Sequence, residues 1–220
     1  NSYSDWVYVY TDWFQDANYF EMCVAEPIAY DIYHDEKVSE NEYSPKRQAL
    51  RFVLKNLFGF DEFRPGQERI IINALQRRDT IGVLPTGSGK SLCYQMCVMM
   101  QPCISFCVCP IKSLMIDQVY NIKGHGVART AFVSSDLDSS EKMRVQEDYY
   151  NGKYWILYLS PERFLIKDFR EYLLGMSVDT EKKFAYAVID EVHCMSEWGN
   201  DFRVSYLNVV RTIRRFCSKA

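Results

Sequence analysis

Residues 84–91 read Leu-Pro-Thr-Gly-Ser-Gly-Lys-Ser, a glycine-rich turn that ends in a lysine and a hydroxyl residue. The segment before it, residues 80–84, is short, apolar and partly β-branched, which predicts a strand. The segment after it, residues 91–100, runs without Gly or Pro, which predicts a helix. Strand, glycine-rich loop and helix in that order is the context a phosphate-binding loop requires. Two glycines let successive backbone N–H groups converge on an anion with no Cβ in the way, and the following helix turns its positive end toward the same anion. The pattern G-x-x-x-x-G-K-[ST] is met except at its first position, where Leu84 stands. Thr86, Gly87, Ser88 and Gly89 then form the cradle, Lys90 reaches the β- and γ-phosphates as a point charge, and the Ser91 hydroxyl joins a Mg2+ shell. The ligand so implied is ATP with Mg2+.

About a hundred residues later, Phe184–Ile189 is an unbroken apolar run, the signature of a strand buried on both faces of a parallel sheet. It delivers Asp190 and Glu191 to its carboxyl end, the edge at which open α/β sheets bind ligands. An adjacent pair of acids is a weak signal alone, since most such pairs are solvated loop charges; ending an apolar strand is what raises it. Asp190 is expected to coordinate the metal, directly or through water, and Glu191 to orient or deprotonate the attacking water. His193 follows two residues on.

From Leu50 onward strand and helix patterns alternate, with strands expected at 80–84, 104–109, 129–133, 155–159 and 184–189. Such alternation gives an α/β fold of the P-loop NTPase kind, a mostly parallel sheet with helices on both faces.

With 220 residues and 48% hydrophobic content, the chain suits one domain of ordinary size plus an added segment. Acids or glycines interrupt every apolar run before it reaches bilayer length, so a soluble cytosolic protein is expected, with no membrane partner. Eight cysteines raise zinc or disulfides as alternatives, but none forms a C-x2-C pair. Cys93 and Cys97 fall in the expected helix and Cys107 and Cys109 in a strand, which favours buried reduced thiols.

Charge divides the chain. Residues 1–45 hold ten acids against one base and residues 46–220 hold 19 against 25, so net charges of −9 and +6 make up the overall −3. The basic portion is compatible with a nucleic-acid partner without demanding one. Arg211, Arg214, Arg215 and Lys219 are more simply a solvated helix face than a phosphate-binding cluster. Residues 1–45, with Trp6, Tyr8, Tyr10, Trp13, Phe14, Tyr19 and Phe20, are too aromatic for ordinary disorder and are expected to pack on the following domain or to end a preceding one, with residues 36–45 as linker. The expected domains are therefore 1–45 and 46–220, and the missing initiator methionine suggests a piece of a longer protein.

Read on from the acids, residues 193–203 are His-Cys-Met-Ser-Glu-Trp-Gly-Asn-Asp-Phe-Arg. This resembles the RecQ family of superfamily 2 DNA helicases, whose motif II runs into an aromatic-rich loop of the form HC-x-S-[QE]-W-G-x-D-FR. A second block, residues 57–68 (Leu-Phe-Gly-Phe-Asp-Glu-Phe-Arg-Pro-Gly-Gln-Glu), is similar to that family's motif 0. Residues 109–119 and 158–163 resemble motifs Ia and Ib. Departures include Val192 for the usual alanine, Ser160 where threonine is common, Glu197 for the frequent glutamine and Asn200 for the frequent histidine.

The resemblance implies a RecA-like lobe in which Gln67 reads the adenine edge, Arg64 and Phe60 pack against base or ribose, and Ser113, Gln118 and Ser160 follow a single-stranded DNA backbone. Trp198 and Phe202, core residues on the plainer reading, can stack on unpaired bases close to the acids, so DNA is expected to move their loop, which includes Arg203, and to carry His193 and Glu191 into working position. Gly199, Asn200 and Asp201 are turn formers consistent with such a loop. By resemblance the intact protein couples ATP hydrolysis to 3′–5′ translocation and unwinding of DNA, acting on single strands and duplex junctions beside the nucleoid or in a nucleus. A second RecA-like lobe with an arginine finger is expected beyond Ala220, so the isolated lobe is expected to bind ATP and hydrolyse it negligibly. An ATPase that remodels nucleic-acid complexes without separating strands is the alternative. A small-molecule kinase fits less well, having no role for the acid pair or for Gln67.

Overall fold

The computed structural model describes residues 45–101, 103–178, 184–194 and 200–216, without the side chains of residues 45, 46, 200–203 and 216. The acidic stretch 1–44, Trp198 and Lys219 lie outside the described residues. Two compact units are formed, one reaching Met100 and the other starting at Gln101 within the described residues, and each has its own apolar core.

The first unit contains α1 (Pro45–Phe58), α2 (Gln67–Leu75) and α3 (Lys90–Met99). Leu50, Val53, Leu54 and Phe58 recur at helical spacing along α1 and are buried. Gly59 ends that helix at φ 76, and the amides of Gly59 and Phe60 donate to the carbonyls of Lys55 and Leu54. The reversal leads residues 60–66 back to the start of α2. There Ile71, Ile72 and Leu75 are buried where α2 packs on α3, and the Cys97 thiol of α3 donates to the Ile71 carbonyl at 3.8 Å.

The strand expected at 80–84 is not formed: the segment has no ladder partner among the described residues, and Ile81 and Val83 are 87% and 86% exposed. Apolar, β-branched composition makes a segment compatible with a sheet, but a strand exists only where a neighbour supplies hydrogen bonds, and that neighbour is not local in sequence.

In the second unit β1 (Ile104–Val108), β2 (Thr130–Val133), β3 (Ile156–Leu159) and β4 (Phe184–Ile189) form a sheet in the order β2-β3-β1-β4 with every pair parallel. Parallel neighbours need crossovers, and α4 (Lys112–Gly124), α5 (Ser139–Tyr150) and α6 (Lys167–Val178) supply them, with a 3-10 turn, Pro161–Leu165, leading into α6. A last helix, α7 (Asn200–Phe216), follows. All five residues of β1 are buried, as befits an inner strand, and Phe106 packs edge-on to Phe184 with ring centroids 5.5 Å apart.

The pairing of β1 with β4 slips by one residue. Ile104 lies opposite Phe184 but Phe106 lies opposite Ala187, and the Ser105 hydroxyl accepts from the Tyr186 amide at 3.2 Å within that bulge. The Ser105 hydroxyl thus satisfies an amide that the irregular ladder would otherwise leave unpaired.

Two further expectations change. β4 is buried only at Phe184 and Ala185, its other four residues being half-buried, because it forms one edge of the described sheet rather than an inner strand. Residues 200–203 are helical, not a turn: Asn and Asp favour turns and helix starts for the same reason, a short side chain that can accept from nearby backbone N–H groups. The six described cysteines are buried free thiols, and burial pushes those of Cys93 and Cys109 up to about 12.

Candidate active site

The phosphate loop belongs to the first unit. Gly87 and Gly89 both adopt the left-handed conformation, at φ 75 and φ 78, and Gly89 is the residue from which α3 departs. A Cβ on Gly89 would stand 2.7 Å from Gln67 Nε2, so glycine is required there by space as well as by backbone angle. Pro85, which the sequence reading gave no role, closes the turn: its carbonyl accepts from both the amide and the hydroxyl of Ser88, at 3.2 and 2.6 Å. Thr86 is exposed, and Lys90 and Ser91 stand half-buried as the first two residues of α3.

Residues 60–67 are stitched to this loop. Gln67 is 4% exposed, and its amide is engaged at both ends. Oε1 accepts from the Arg64 amide at 2.8 Å, while Nε2 donates to the Ser88 and Gly89 carbonyls at 2.9 and 3.0 Å. The Arg64 guanidinium donates to the Gly87 carbonyl at 2.5 Å. Three successive loop carbonyls therefore face Arg64 and Gln67. Because the C=O and N–H of a trans peptide point in opposite directions, the amides of Gly89 and Lys90 turn the other way. Phe60 is half-exposed. The structure thus brings Arg64 and Gln67 against the phosphate loop, a contact the sequence reading missed because a motif specifies residue types and not their internal partners.

The acids belong to the second unit. The Asp190 amide donates to the Val108 carbonyl at 2.9 Å, so Asp190 continues the β4 ladder by one step beyond Ile189. Its Oδ1 accepts from the Glu191 amide at 2.9 Å. Glu191 sits at φ 50, a left-handed conformation that a residue with a Cβ adopts at a cost. The turn it opens is closed by the Cys194 amide donating to the Glu191 carbonyl at 3.0 Å. His193 Nδ1 lies 3.0 Å from Glu191 Oε2, so the imidazole restrains the carboxylate that the sequence assigns to water activation.

The same sheet edge carries other expected residues. Ser160 follows β3 directly, and Ser113 lies in the first turn of α4, just after β1, exposed to solvent. Since β3 and β4 flank β1, Ser160, Ser113 and Asp190 follow the carboxyl ends of three neighbouring strands. Gln118 is half-buried further along α4, and the Lys112 amine is paired with Asp136. Phe202 and Arg203 lie in the first turn of α7. Arg211, Arg214 and Arg215 are exposed along the same helix.

The DEAD/DEAH box helicase family model matches residues 64–220. Similar proteins include "Probable ATP-dependent DNA helicase RecS" of Bacillus subtilis, 42% identical over 157 residues, with 71% of this chain and 30% of that protein covered. "ATP-dependent DNA helicase RecQ" of Haemophilus influenzae is 36% identical over 154 residues, covering 70% and 24%. "RecQ-like DNA helicase blm-1" of Caenorhabditis elegans is 36% identical over 158 residues, covering 70% and 16%. The chain belongs to the DEAD/DEAH box helicase family, within its RecQ branch. It spans less than a third of the length of each of these three relatives.

Proposed function

We propose that this chain is the ATP-binding motor lobe of a RecQ-type DNA helicase and that the whole protein couples ATP hydrolysis to 3′–5′ translocation and duplex unwinding. The observation that carries the reading is that a chain of this family holds both a phosphate loop with two left-handed glycines and, in its other unit, an acid pair that ends a parallel strand. The loop amides beyond Gly87 and the Lys90 ammonium bind the triphosphate, and Phe60, Arg64 and Gln67 flank it on the nucleoside side.

Mg2+ is the metal these motifs call for: the Ser91 hydroxyl and the Asp190 carboxylate are each oxygen donors, and oxygen ligands completed by substrate phosphates suit a hard cation. When bound, the ion neutralises charge developing on the transferred phosphoryl group. Glu191 holds the attacking water and takes up its proton, with His193 keeping the carboxylate oriented. Ser113, Gln118 and Ser160 follow the DNA backbone, and Trp198, Phe202 and Arg203 report its presence to the acids. The partners are single-stranded DNA and duplex junctions, together with a second RecA-like lobe that supplies an arginine; the compartment is the one that holds the genome. No helix among the described residues is long and apolar enough to cross a membrane.

Strand displacement by the full-length protein tests this. A duplex with a 3′ single-stranded tail is unwound in the presence of ATP and Mg2+, and one with a 5′ tail is not. DNA-stimulated hydrolysis without displacement of any strand would instead identify a remodelling ATPase. The isolated lobe, lacking the opposite arginine, turns ATP over on the order of a thousandfold more slowly.

A further inference from the structure

Tyr206 lies on α7, one helical turn beyond Phe202 and Arg203. It is completely buried, and its hydroxyl is directed at the Asp190 carbonyl at 3.5 Å. That carbonyl shares a rigid peptide plane with the Glu191 amide, the group that donates to Asp190 Oδ1. The same plane is one side of the torsion that holds Glu191 at φ 50. A force on the Asp190 oxygen therefore rotates the link between the two acids, and through it the Glu191 side chain. The contact is long for an O–H···O bond, near the outer limit at which such a bond forms, whereas about 2.7–2.8 Å is usual. An advance of α7 by well under an ångström would convert it into a full hydrogen bond.

We propose that Tyr206 is a positioning residue for hydrolysis, its hydroxyl gripping the Asp190 carbonyl when α7 shifts and so setting the peptide plane that aims Glu191. The inference rests on the functional reading above, in which DNA acts at Trp198, Phe202 and Arg203 and Glu191 handles the water. α7 is suited to carry the shift, because it also packs against the 3-10 turn Pro161–Leu165 that follows Ser160. Buried Ser205, Val209 and Thr212 hold the helix along its inner face, so displacement at its start is passed along a rigid rod. Burial keeps the tyrosine hydroxyl protonated well beyond its ordinary range, with Cys194, Cys109 and Asp190 nearby adding to that effect, so it remains a donor at any working pH.

Tyr206→Phe in the full-length protein removes the hydroxyl and keeps the ring. ATPase kinetics with and without single-stranded DNA should show the ratio of stimulated to basal kcat falling about tenfold, roughly the worth of one hydrogen bond, at unchanged KM for ATP. An unchanged ratio overturns the proposal, and so does a loss in which basal kcat and KM deteriorate in step, which marks a merely structural residue. Hydrogen exchange on the wild-type protein gives a readout independent of the variant's folding: single-stranded DNA should slow exchange of the Glu191 amide together with amides of residues 204–210, and protection confined to either segment overturns the coupling. If wild-type hydrolysis does not respond to DNA at all, the functional reading itself fails and the tyrosine role falls with it.

Discussion

Replacing Gln67 by Ala separates two roles that one side chain can hold. The RecQ resemblance makes Gln67 a reader of adenine, and on that account the variant loses discrimination between ATP and GTP. In the structure the amide is occupied by the protein itself, with Nε2 donating to two successive carbonyls of the phosphate loop. Each neutral hydrogen bond contributes about 1 kcal/mol net, and Ser88 and Gly89 are only half-buried, so water can replace the lost donor without a further burial penalty. Two bonds then favour the ordered loop by about 2 kcal/mol, equivalent to about 30-fold in affinity. The Arg64 contact to Gly87 survives the substitution and limits the effect to that order. Titration calorimetry of the full-length protein with Mg2+ and three ligands, ATP, GTP and inorganic tripolyphosphate, resolves the roles. All three should weaken about 30-fold, including the tripolyphosphate that has no base to read, and any additional loss for ATP measures adenine recognition alone. Tripolyphosphate affinity unaffected by the substitution would refute the loop-ordering argument and leave only the base.

Lys90→Ala should lower nucleotide affinity on the order of a hundredfold or more with little change in thermal unfolding, read by titration of a fluorescent nucleotide; near-normal binding would remove the lysine from the phosphate seat. Trp198→Ala in the full-length protein should keep ATP binding and most DNA affinity while DNA-stimulated hydrolysis and unwinding are lost, and preserved stimulation would mean the ring has no coupling role. The thiols give a pH test. Cys93 and Cys109 are raised by burial from an ordinary value of 9.0 to about 12, so the folded chain retains protons that the unfolded chain releases. Their contribution to stability is complete below pH 9 and is lost as the pH rises toward 12. Urea midpoints should therefore fall between pH 8 and pH 10, and by less in Cys93→Ala; an equal fall in both proteins would contradict this.

Features governed by local chemistry were legible in the residues. The apolar run Phe184–Ile189 is a strand with those bounds, and the Gly-Ser-Gly-Lys turn opens into α3 as its glycines require. Features governed by distant partners were not. Residues 80–84 have strand composition, yet composition cannot provide a hydrogen-bonding neighbour. The half-burial of β4 follows from its position at a sheet edge, which depends on the order of four strands separated in sequence. The bonds from Gln67 to the phosphate-loop carbonyls and the direction of the Tyr206 hydroxyl join residues from 16 to 22 positions apart, and no spacing rule within a motif anticipates them. Helix geometry explains the correction at residue 200, where the same Asn-Asp pair serves as well to begin α7 as to make a turn.

The slip between β1 and β4 acts as a one-residue spacer. Were pairing to continue evenly from Ile104 opposite Phe184, Val188 and not Ile189 would face Val108, and the amide next in line to reach the Val108 carbonyl would belong to Ile189. Asp190 would then project one residue, about 3.3 Å, past the end of the ladder, with its carboxylate on the opposite face of the sheet. Chain length in the first half of β4 is thus converted into position and facing at its end. Deleting Ala185 or Tyr186 takes out that extra residue, so an even ladder then runs from Phe184 opposite Ile104 to Ile189 opposite Val108 and Asp190 keeps its seat, whereas one residue added there must be absorbed by a second slip or moves Asp190 out of it.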